Sequence, residues 1–319
     1  MKRMSSVIAA LALAAPAAAN DSTAGHDAGG LILTRSADID MVSEDLFVSA
    51  EQVRVRYVFR NRSPRDIRTL VAFPMPDRDL TEAHFSDVAY PEDFRTTVDG
   101  RPVAMAVERK ARLGGADRTD VLAQFGLSPD SQGEALDALP QAQRERLVKL
   151  GLAAIDEYDN GKGWEKHFVP AWTMTETWHW EQVFPAGRDL VVEHAYTPGV
   201  GGSVDAALGF AEFRASPEGK AMIRDYCVDS AFLAGLDRLR RRSPATPEQR
   251  IGYVLTTGAN WRSPIGAFRL VVDKGAPGNL VSFCAEGVRK ISPTRFEVRH
   301  SNWRPDRDLK VLIVTPGGG

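Results

Sequence analysis

The stretch VRVRYVFRNRSPRDIRTLVAFPMP, residues 53–76, contains two apolar runs separated by a short polar segment. In the first run, Val53, Val55, Tyr57 and Phe59 alternate with residues that are mostly arginine. Side chains of a β-strand point alternately to its two faces, so this pattern predicts a strand with one buried face and one face in solvent.

The polar segment 61–66 is rich in Asn, Ser, Pro and Asp, which favour turns, and the apolar run then resumes over 67–75. Pro74 and Pro76 cannot donate a backbone hydrogen bond, so the second strand should end there or lie at a sheet edge. The stretch therefore predicts an antiparallel hairpin in a β-rich protein.

Outward from this stretch, short strand patterns recur in residues 31–49, on either side of an Asp99-Gly100 turn, and in 171–196 and 251–314. Helical spacing predicts an insertion at about 113–163 and a pair of short helices within 217–241. We predict a mainly β chain, an antiparallel β-sandwich with helical insertions and two β parts. The predicted parts are a signal peptide (1–19), an N-terminal β-sandwich part (20–200), a helical pair (201–247) and a C-terminal β part (248–319).

The first residues, MKRMSSVIAALALAAPAAAN, have the pattern of a secretory signal peptide. Lys2 and Arg3 precede a short apolar run, and small residues at Ala17 and Ala19 predict cleavage after Ala19. The run is too short to span a bilayer, which needs about 20 residues. We therefore expect a periplasmic protein without a transmembrane segment in its mature chain, beginning with an extended or mobile leader at 20–30.

Charge and cysteine content narrow the class of protein. Removing Lys2 and Arg3 with the signal peptide changes the formal net charge from −2 to −4, which predicts no nucleic-acid partner. Cys227 and Cys284 are the two cysteines of the chain. In an exported protein they most simply form one disulfide, the alternative being two separate buried thiols.

Several separated motifs carry a resemblance to a known family. They are the leader NDSTA at 20–24, the FPMP sequence at 73–76, GANW at 258–261 and KISPT at 290–294. Together they resemble a family of exported bacterial proteins known only as a domain of unknown function. Residues 53–111 also resemble the start of the vault protein inter-alpha-trypsin domain, which implies a β-sandwich used for interaction or scaffolding.

The segment 172–196 contains the sharpest candidate chemistry. If 185–188 is a hairpin loop, His179 lies opposite His194, with Glu181 two residues along on the same face. Two imidazoles and a carboxylate could hold a transition metal, but a shift of one residue would separate the histidines, and ordinary sheet residues are the alternative. Trp172, Trp178 and Trp180 share one strand face, either as core or as an exposed strip that could stack on sugars.

Recognisable catalytic, phosphate-binding and dinucleotide-binding motifs are missing from the sequence. We therefore assign no catalytic, cofactor-binding or metal-binding residues. The favoured hypothesis is a non-enzymatic periplasmic protein that binds or scaffolds an envelope protein or glycan. The alternatives are an envelope hydrolase or metal-dependent enzyme using the 172–196 hairpin, and glycan binding, which requires exposed Trp178 and Trp180.

Overall fold

A computed structural model describes residues 20–27, 30–82, 92–159, 163–243 and 245–317 of the chain. The predicted signal peptide, residues 1–19, lies outside the described residues. The fold class is mainly β with a few helices, as the alternating sequence patterns predicted.

The strands are β1 (Ser22–Asp27), β2 (Gly30–Thr34), β3 (Ile39–Val48), β4 (Val53–Asn61), β5 (Ile67–Pro74), β6 (Arg78–Asp79), β7 (Glu92–Val98), β8 (Arg101–Pro102), β9 (Ala106–Leu113), β10 (Ala116–Asp117), β11 (Ala153–Asp159), β12 (Trp164–Pro170), β13 (Thr173–Phe184), β14 (Asp189–Thr197), β15 (Gly201–Ser203), β16 (Glu248–Tyr253), β17 (Ile265–Asp273), β18 (Leu280–Phe283), β19 (Arg289–Lys290), β20 (Arg295–Trp303) and β21 (Leu309–Val314). The helices are α1 (Thr119–Ala123), α2 (Gly133–Asp137), α3 (Gln141–Lys149), α4 (Ala211–Ala215), α5 (Pro217–Asp225) and α6 (Ser230–Arg240).

Two large sheets enclose the main hydrophobic core. An eight-stranded sheet has the order β19-β20-β17-β3-β4-β14-β7-β8. A seven-stranded sheet has the order β10-β9-β13-β5-β1-β2, with β6 also paired to β13. Inward-facing side chains of both sheets form one cluster, to which β16 and β21 of a four-stranded sheet (β15-β16-β21-β18) contribute Ile251, Val311 and Ile313.

The predicted 53–76 hairpin is wrong in its pairing, although both of its strands exist. β4 pairs with β3 and β14 in the eight-stranded sheet, whereas β5 pairs with β1 and β13 in the seven-stranded sheet. The turn at 62–66 therefore carries the chain from one sheet to the other. An apolar inner face has the same sequence pattern whether the two strands lie side by side or face each other across a core. By contrast, the Asp99-Gly100 hairpin is confirmed, because β7 pairs with β8 around it.

Of the two forms predicted for the leader, extended or mobile, the described part has the extended one. Residues 22–27 form β1, which pairs with β2 and β5 inside the seven-stranded sheet. Asn20, Asp21 and Ser22 are completely buried. Small polar residues suggested a free segment, but their side chains meet hydrogen-bonding partners that come from distant parts of the chain.

The helices lie outside the two large sheets. α1, α2 and α3 pack with β9, β11 and β12 around Leu122, Leu136 and Leu147, where the sequence predicted a helical insertion. Residues 153–159 form a strand rather than the end of a helix.

The predicted disulfide is confirmed: Cys227 after α5 is bonded to Cys284 after β18. No helix within the described ranges combines the length and apolar character needed to cross a membrane. The division of the chain at residues 200 and 247 stays a prediction.

Candidate functional site

The predicted His179 and His194 pair is not formed. β13 lies in the seven-stranded sheet, where His179 is in register with Ala72 and Ala106. β14 lies in the eight-stranded sheet, where His194 is in register with Val55 and Thr96. The segment 185–188 is thus a second crossing between the sheets, and the predicted 172–196 hairpin is wrong for the same reason as the 53–76 hairpin.

His194 is sealed inside the core. Its Nε2 lies 3.1 Å from Asp21 Oδ1, its Nδ1 lies 2.8 Å from Thr96 Oγ1, and its side chain has no exposed surface. Aromatic rings surround the imidazole, with centroids within 6 Å; they belong to Tyr57, Phe73, Phe94 and Trp180. Both imidazole nitrogens are engaged and no solvent reaches them, so His194 is placed to support the fold rather than to bind a substrate.

The carboxylates of this segment are engaged as well. Glu181 is exposed and forms an ion pair with Arg68 at 3.3 Å. Glu176 is buried, and its carboxylate accepts hydrogen bonds from Arg109 Nε at 2.6 Å and Trp178 Nε1 at 2.9 Å. Among the residues that the structure describes, no group of three or more His, Cys, Asp or Glu side chains is arranged to share a metal ion.

The tryptophan strip is core rather than an exposed platform. Trp172 and Trp180 are buried, and Trp178 is partly buried and stacks on Phe94 with ring centroids 5.1 Å apart. The exposure of Trp178 and Trp180 that glycan binding on this strip requires is therefore contradicted.

One cavity, of 410 Å³, lies where β6, β13, β16 and β21 approach one another. Its lining mixes apolar side chains such as Met75 and Ile251 with Arg78, Arg250 and Lys310. The Tyr196 hydroxyl is buried at this cavity and has no hydrogen-bond partner among the described residues. Lys310 forms an ion pair with Asp225, so part of the charge in this cavity is already neutralised.

A second cavity, of 500 Å³, has an aromatic wall that the sequence did not predict. Trp303 stacks on His300 with ring centroids 5.1 Å apart, and buried Phe268 lies 4.4 Å from Trp303. Trp303 and His300 are both partly exposed. Strand alternation alone places these two residues on opposite faces, yet both line the cavity; between them, Asn302 departs from extended backbone with a φ of 50°.

Charged groups surround the opening of this second cavity. Arg304, Arg307, Glu286 and Asp306 line it together with the Cys227 disulfide, while the floor is formed by apolar side chains such as Leu270 and Val298. Ligand pockets commonly combine such an apolar and aromatic interior with a few polar groups, and their volumes are of this order. We call this pocket the aromatic cavity.

Comparisons with known proteins give a family without an assigned activity. The family model described as "Domain of unknown function (DUF4424)" matches residues 19–312. A crystal structure described as that of a "putative nutrient binding protein" from Legionella pneumophila is similar, with 15% sequence identity, 92% of this chain and 72% of that chain covered, and a TM-score of 0.42. No curated protein matches the chain.

Proposed function

We propose that this chain, which belongs to the DUF4424 family, is a periplasmic binding protein that takes its ligand into the aromatic cavity. Export is supported by the signal-peptide pattern at 1–19 and by the Cys227–Cys284 disulfide, since disulfides persist in oxidising compartments. The proposed ligand is a small ring compound with a flat apolar face and polar edges.

The stacked pair Trp303 and His300 carries this proposal. Aromatic side chains are usually buried in a core, yet these two rings form a continuous partly exposed surface at the edge of a 500 Å³ cavity. Phe268 supports the pair from behind with a tilted ring contact to Trp303. A flat ligand face can stack on such a surface, and the rim charges can meet its polar edge.

Binding is favoured over hydrolysis by the state of the candidate acid and base residues. His194 has no exposed side-chain surface, and Glu176 is held by Arg109 and Trp178. A general acid or base must reach a substrate proton within hydrogen-bond distance. The envelope-hydrolase alternative depended on a site shared by His179, Glu181 and His194. These three side chains do not converge, because His194 lies in the eight-stranded sheet and the other two lie in the seven-stranded sheet.

Ligand screening with matched tryptophan variants tests the proposal. Pools of sugars, aromatic amino acids and nucleosides are tested by calorimetry against the wild-type protein, Trp303→Ala and Trp164→Ala. We expect a ligand whose affinity falls about tenfold or more in Trp303→Ala, because a stacking surface contributes on the order of 1–3 kcal/mol. Trp164, on β12, is 76% exposed and does not line the aromatic cavity, so Trp164→Ala should bind normally.

Two results would refute binding in the aromatic cavity. One is an unchanged affinity in Trp303→Ala for a ligand that the wild-type protein binds. The other is the failure of all three pools to bind at millimolar concentration while the protein remains folded by circular dichroism.

A scaffold role is a second candidate, and it rests on a different surface. Leu150, Ile155 and Trp164 are large apolar residues with at least 44% of their surface exposed, and all three lie in the segment formed by α3, β11 and β12. Ile155 and Trp164 also point to the same face of the β11–β12 pair. Ile155 lies opposite Phe168, and Trp164 is four residues from Phe168 along β12, so the alternation of side chains puts all three on one face. Exposed apolar groups of this kind often mark a surface that contacts another protein.

A further inference from the structure

A buried polar cluster surrounds Asn20, the residue that follows the predicted cleavage position. The backbone nitrogen of Asn20 donates a hydrogen bond to Thr257 Oγ1 at 2.6 Å, and the Thr257 hydroxyl donates to the Asn20 carbonyl at 2.6 Å. Asn20 Nδ2 donates to Glu44 Oε2 at 3.0 Å. A methyl group at Gly258 would lie 2.8 Å from Asn20 Nδ2, so glycine permits this close approach.

This cluster holds more buried acceptors than donors. Asn20 Oδ1, Asp21 Oδ2 and Glu44 Oε1 are buried and have no hydrogen-bond partner in the part of the chain that the structure describes. A buried polar atom without a partner costs roughly 1–3 kcal/mol, and more when the group is charged. Three such atoms so close in one cluster indicate that donors belong there which an ordinary peptide nitrogen at Asn20 does not supply.

The charges of the cluster are also unbalanced while residue 20 is joined to Ala19. Burial raises the pKa of Glu44 to about 8; the hydrogen bond from Asn20 lowers it and the charge of Asp21 raises it further. Burial also raises the pKa of Asp21, against the opposing effect of His194. Asp21 contacts the imidazole of His194, whereas Glu44 contacts only the neutral amide of Asn20 among the hydrogen bonds of this cluster, and a cation beside them would allow both carboxyl groups to ionise.

Cleavage after Ala19 would create such a cation at the right residue. Hydrolysis breaks the C–N bond between Ala19 and Asn20: water gives its hydroxyl to the Ala19 carbonyl carbon and a proton to the nitrogen. The proton released by the new carboxylic acid then converts the amine into an ammonium group. Asn20 thereby gains two N–H donors and one positive charge.

We propose that the α-ammonium group of processed Asn20 is a buried structural cation, held by Thr257 and neutralised by Glu44 and Asp21, and that the fold reaches full stability only after this cleavage. One change then supplies both the missing donors and the missing charge. The signal-peptide junction is in this way a maturation site for the folded protein, independent of what the aromatic cavity binds.

A two-residue insertion tests the proposal without changing export. Gly-Ser is inserted between Ala19 and Asn20, so that cleavage after Ala19 leaves a peptide bond at the Asn20 nitrogen, and both mature termini are verified by intact mass. We expect the Tm of the inserted protein to be lower by about 5 °C or more, because a buried carboxylate loses its cation. An unchanged Tm, or a wild-type terminus other than Asn20, would overturn the proposal.

Glu44→Gln provides the matched control. In this background the carboxylate is gone, so the insertion should lower the Tm by at most a third of its effect in the wild-type background. An equal loss in both backgrounds would mean that the insertion only disturbs packing, and the proposed ion pair would be refuted.

The pH dependence of the same proteins gives an independent reading. Since the folded-state pKa of Glu44 is about 8 against 4.5 for the ordinary group, the folded inserted chain binds more protons than the unfolded chain between these values. Its stability should therefore fall as the pH rises from about 4.5 to 8. Asp21, Tyr57 and Tyr253 also face Glu44. Burial raises the pKa of Asp21 as well, so Asp21 adds to this fall, whereas the two tyrosines stay protonated over this pH range because burial raises their pKa values. The stability of the processed chain should fall clearly less over the same pH range. Equal slopes of stability against pH in the two proteins would count against the buried ammonium group.

Amine labelling covers the case in which the inserted protein does not fold. In the native processed protein, an amine-reactive reagent at neutral pH should modify exposed Lys149 and Lys220 while leaving the α-amine of Asn20 unmodified. After unfolding in urea the α-amine should react as well. Equal labelling of the α-amine before and after unfolding would show that it is not buried, and the proposal would fail.

Discussion

The chemical role of His194 is set by its burial rather than by its residue type. A histidine on a strand near a glutamate can belong to a metal site. Here Trp180 of β13 contacts His194, so the preceding residue, His179, points to the opposite face of the seven-stranded sheet. What His194 touches is the Asp21 carboxylate on one side and the Thr96 hydroxyl on the other. These contacts tie β14 to the leader segment and to β7.

Replacing His194 should therefore change stability rather than remove a reaction. In His194→Ala, the Asp21 carboxyl group remains buried without its partner, and breaking such a pair costs about 3–5 kcal/mol. Urea unfolding should show this loss as a lower midpoint. The control is Glu181→Ala, which removes an exposed ion pair with Arg68 and should change the stability by at most about 0.5 kcal/mol. A loss below about 1 kcal/mol in His194→Ala would contradict the structural role.

At the scale of elements, two crossings between the sheets lie next to each other and support each other. β4 pairs with β14 in one sheet, β5 pairs with β13 in the other, and the connecting segments 62–66 and 185–188 are neighbours. Asn61 links them: its Nδ2 donates to Phe184 O at 2.9 Å and to Arg65 O at 2.8 Å, and its Oδ1 accepts from Ser63 N. The polar turn residues thus hold a corner of the sandwich.

Asn61→Ala should weaken this corner. The substitution leaves the buried Phe184 carbonyl without its side-chain donor and removes two more hydrogen bonds, which should cost about 1–3 kcal/mol in the free energy of unfolding. The measurement is urea denaturation followed by tryptophan fluorescence. Gln52→Ala, at an exposed turn position, is the control and should have almost no effect. If both variants unfold at the same urea concentration, the corner is not held by Asn61.

At the scale of the whole molecule, the two proposed binding surfaces lie on different parts of the fold. The aromatic cavity lies beside β17 and β20 and near the disulfide, whereas the exposed apolar residues lie at the end of α3 (Leu150), on β11 (Ile155) and on β12 (Trp164). A ligand-binding role and a scaffold role therefore depend on different side chains, and variants of one surface serve as controls for the other.

Crosslinking in the native cell should separate the two roles. If the apolar residues of the β11–β12 segment hold a partner protein, a reproducible crosslinked partner should be recovered with the wild-type protein and with Trp303→Ala, and its yield should fall severalfold with Trp164→Ala. Crosslinks that do not depend on Trp164, or none above background, would argue against the scaffold role.

The sequence alone determined strands such as β4, β5 and β14 and which of their faces are apolar, because alternation along a strand is a local property; β11, by contrast, lies where the sequence predicted a helix. It also determined the disulfide, since the chain has two cysteines, and the end of β5 at Pro74. The start of α5 is likewise set by local residues, since the Ser216 hydroxyl accepts a hydrogen bond from Gly219 N.

Only the tertiary structure decided which strands pair. The same polar turn residues can join two strands of one sheet or connect two different sheets. The strands that begin at Val53 and Ile67 therefore lie in different sheets although they are close in sequence. Likewise the burial of Asn20, its contact with Thr257 and the stacking of Trp303 on His300 depend on residues far apart or on one unusual backbone angle at Asn302. Such contacts arise from the packing of whole sheets, and no local pattern of residues encodes them.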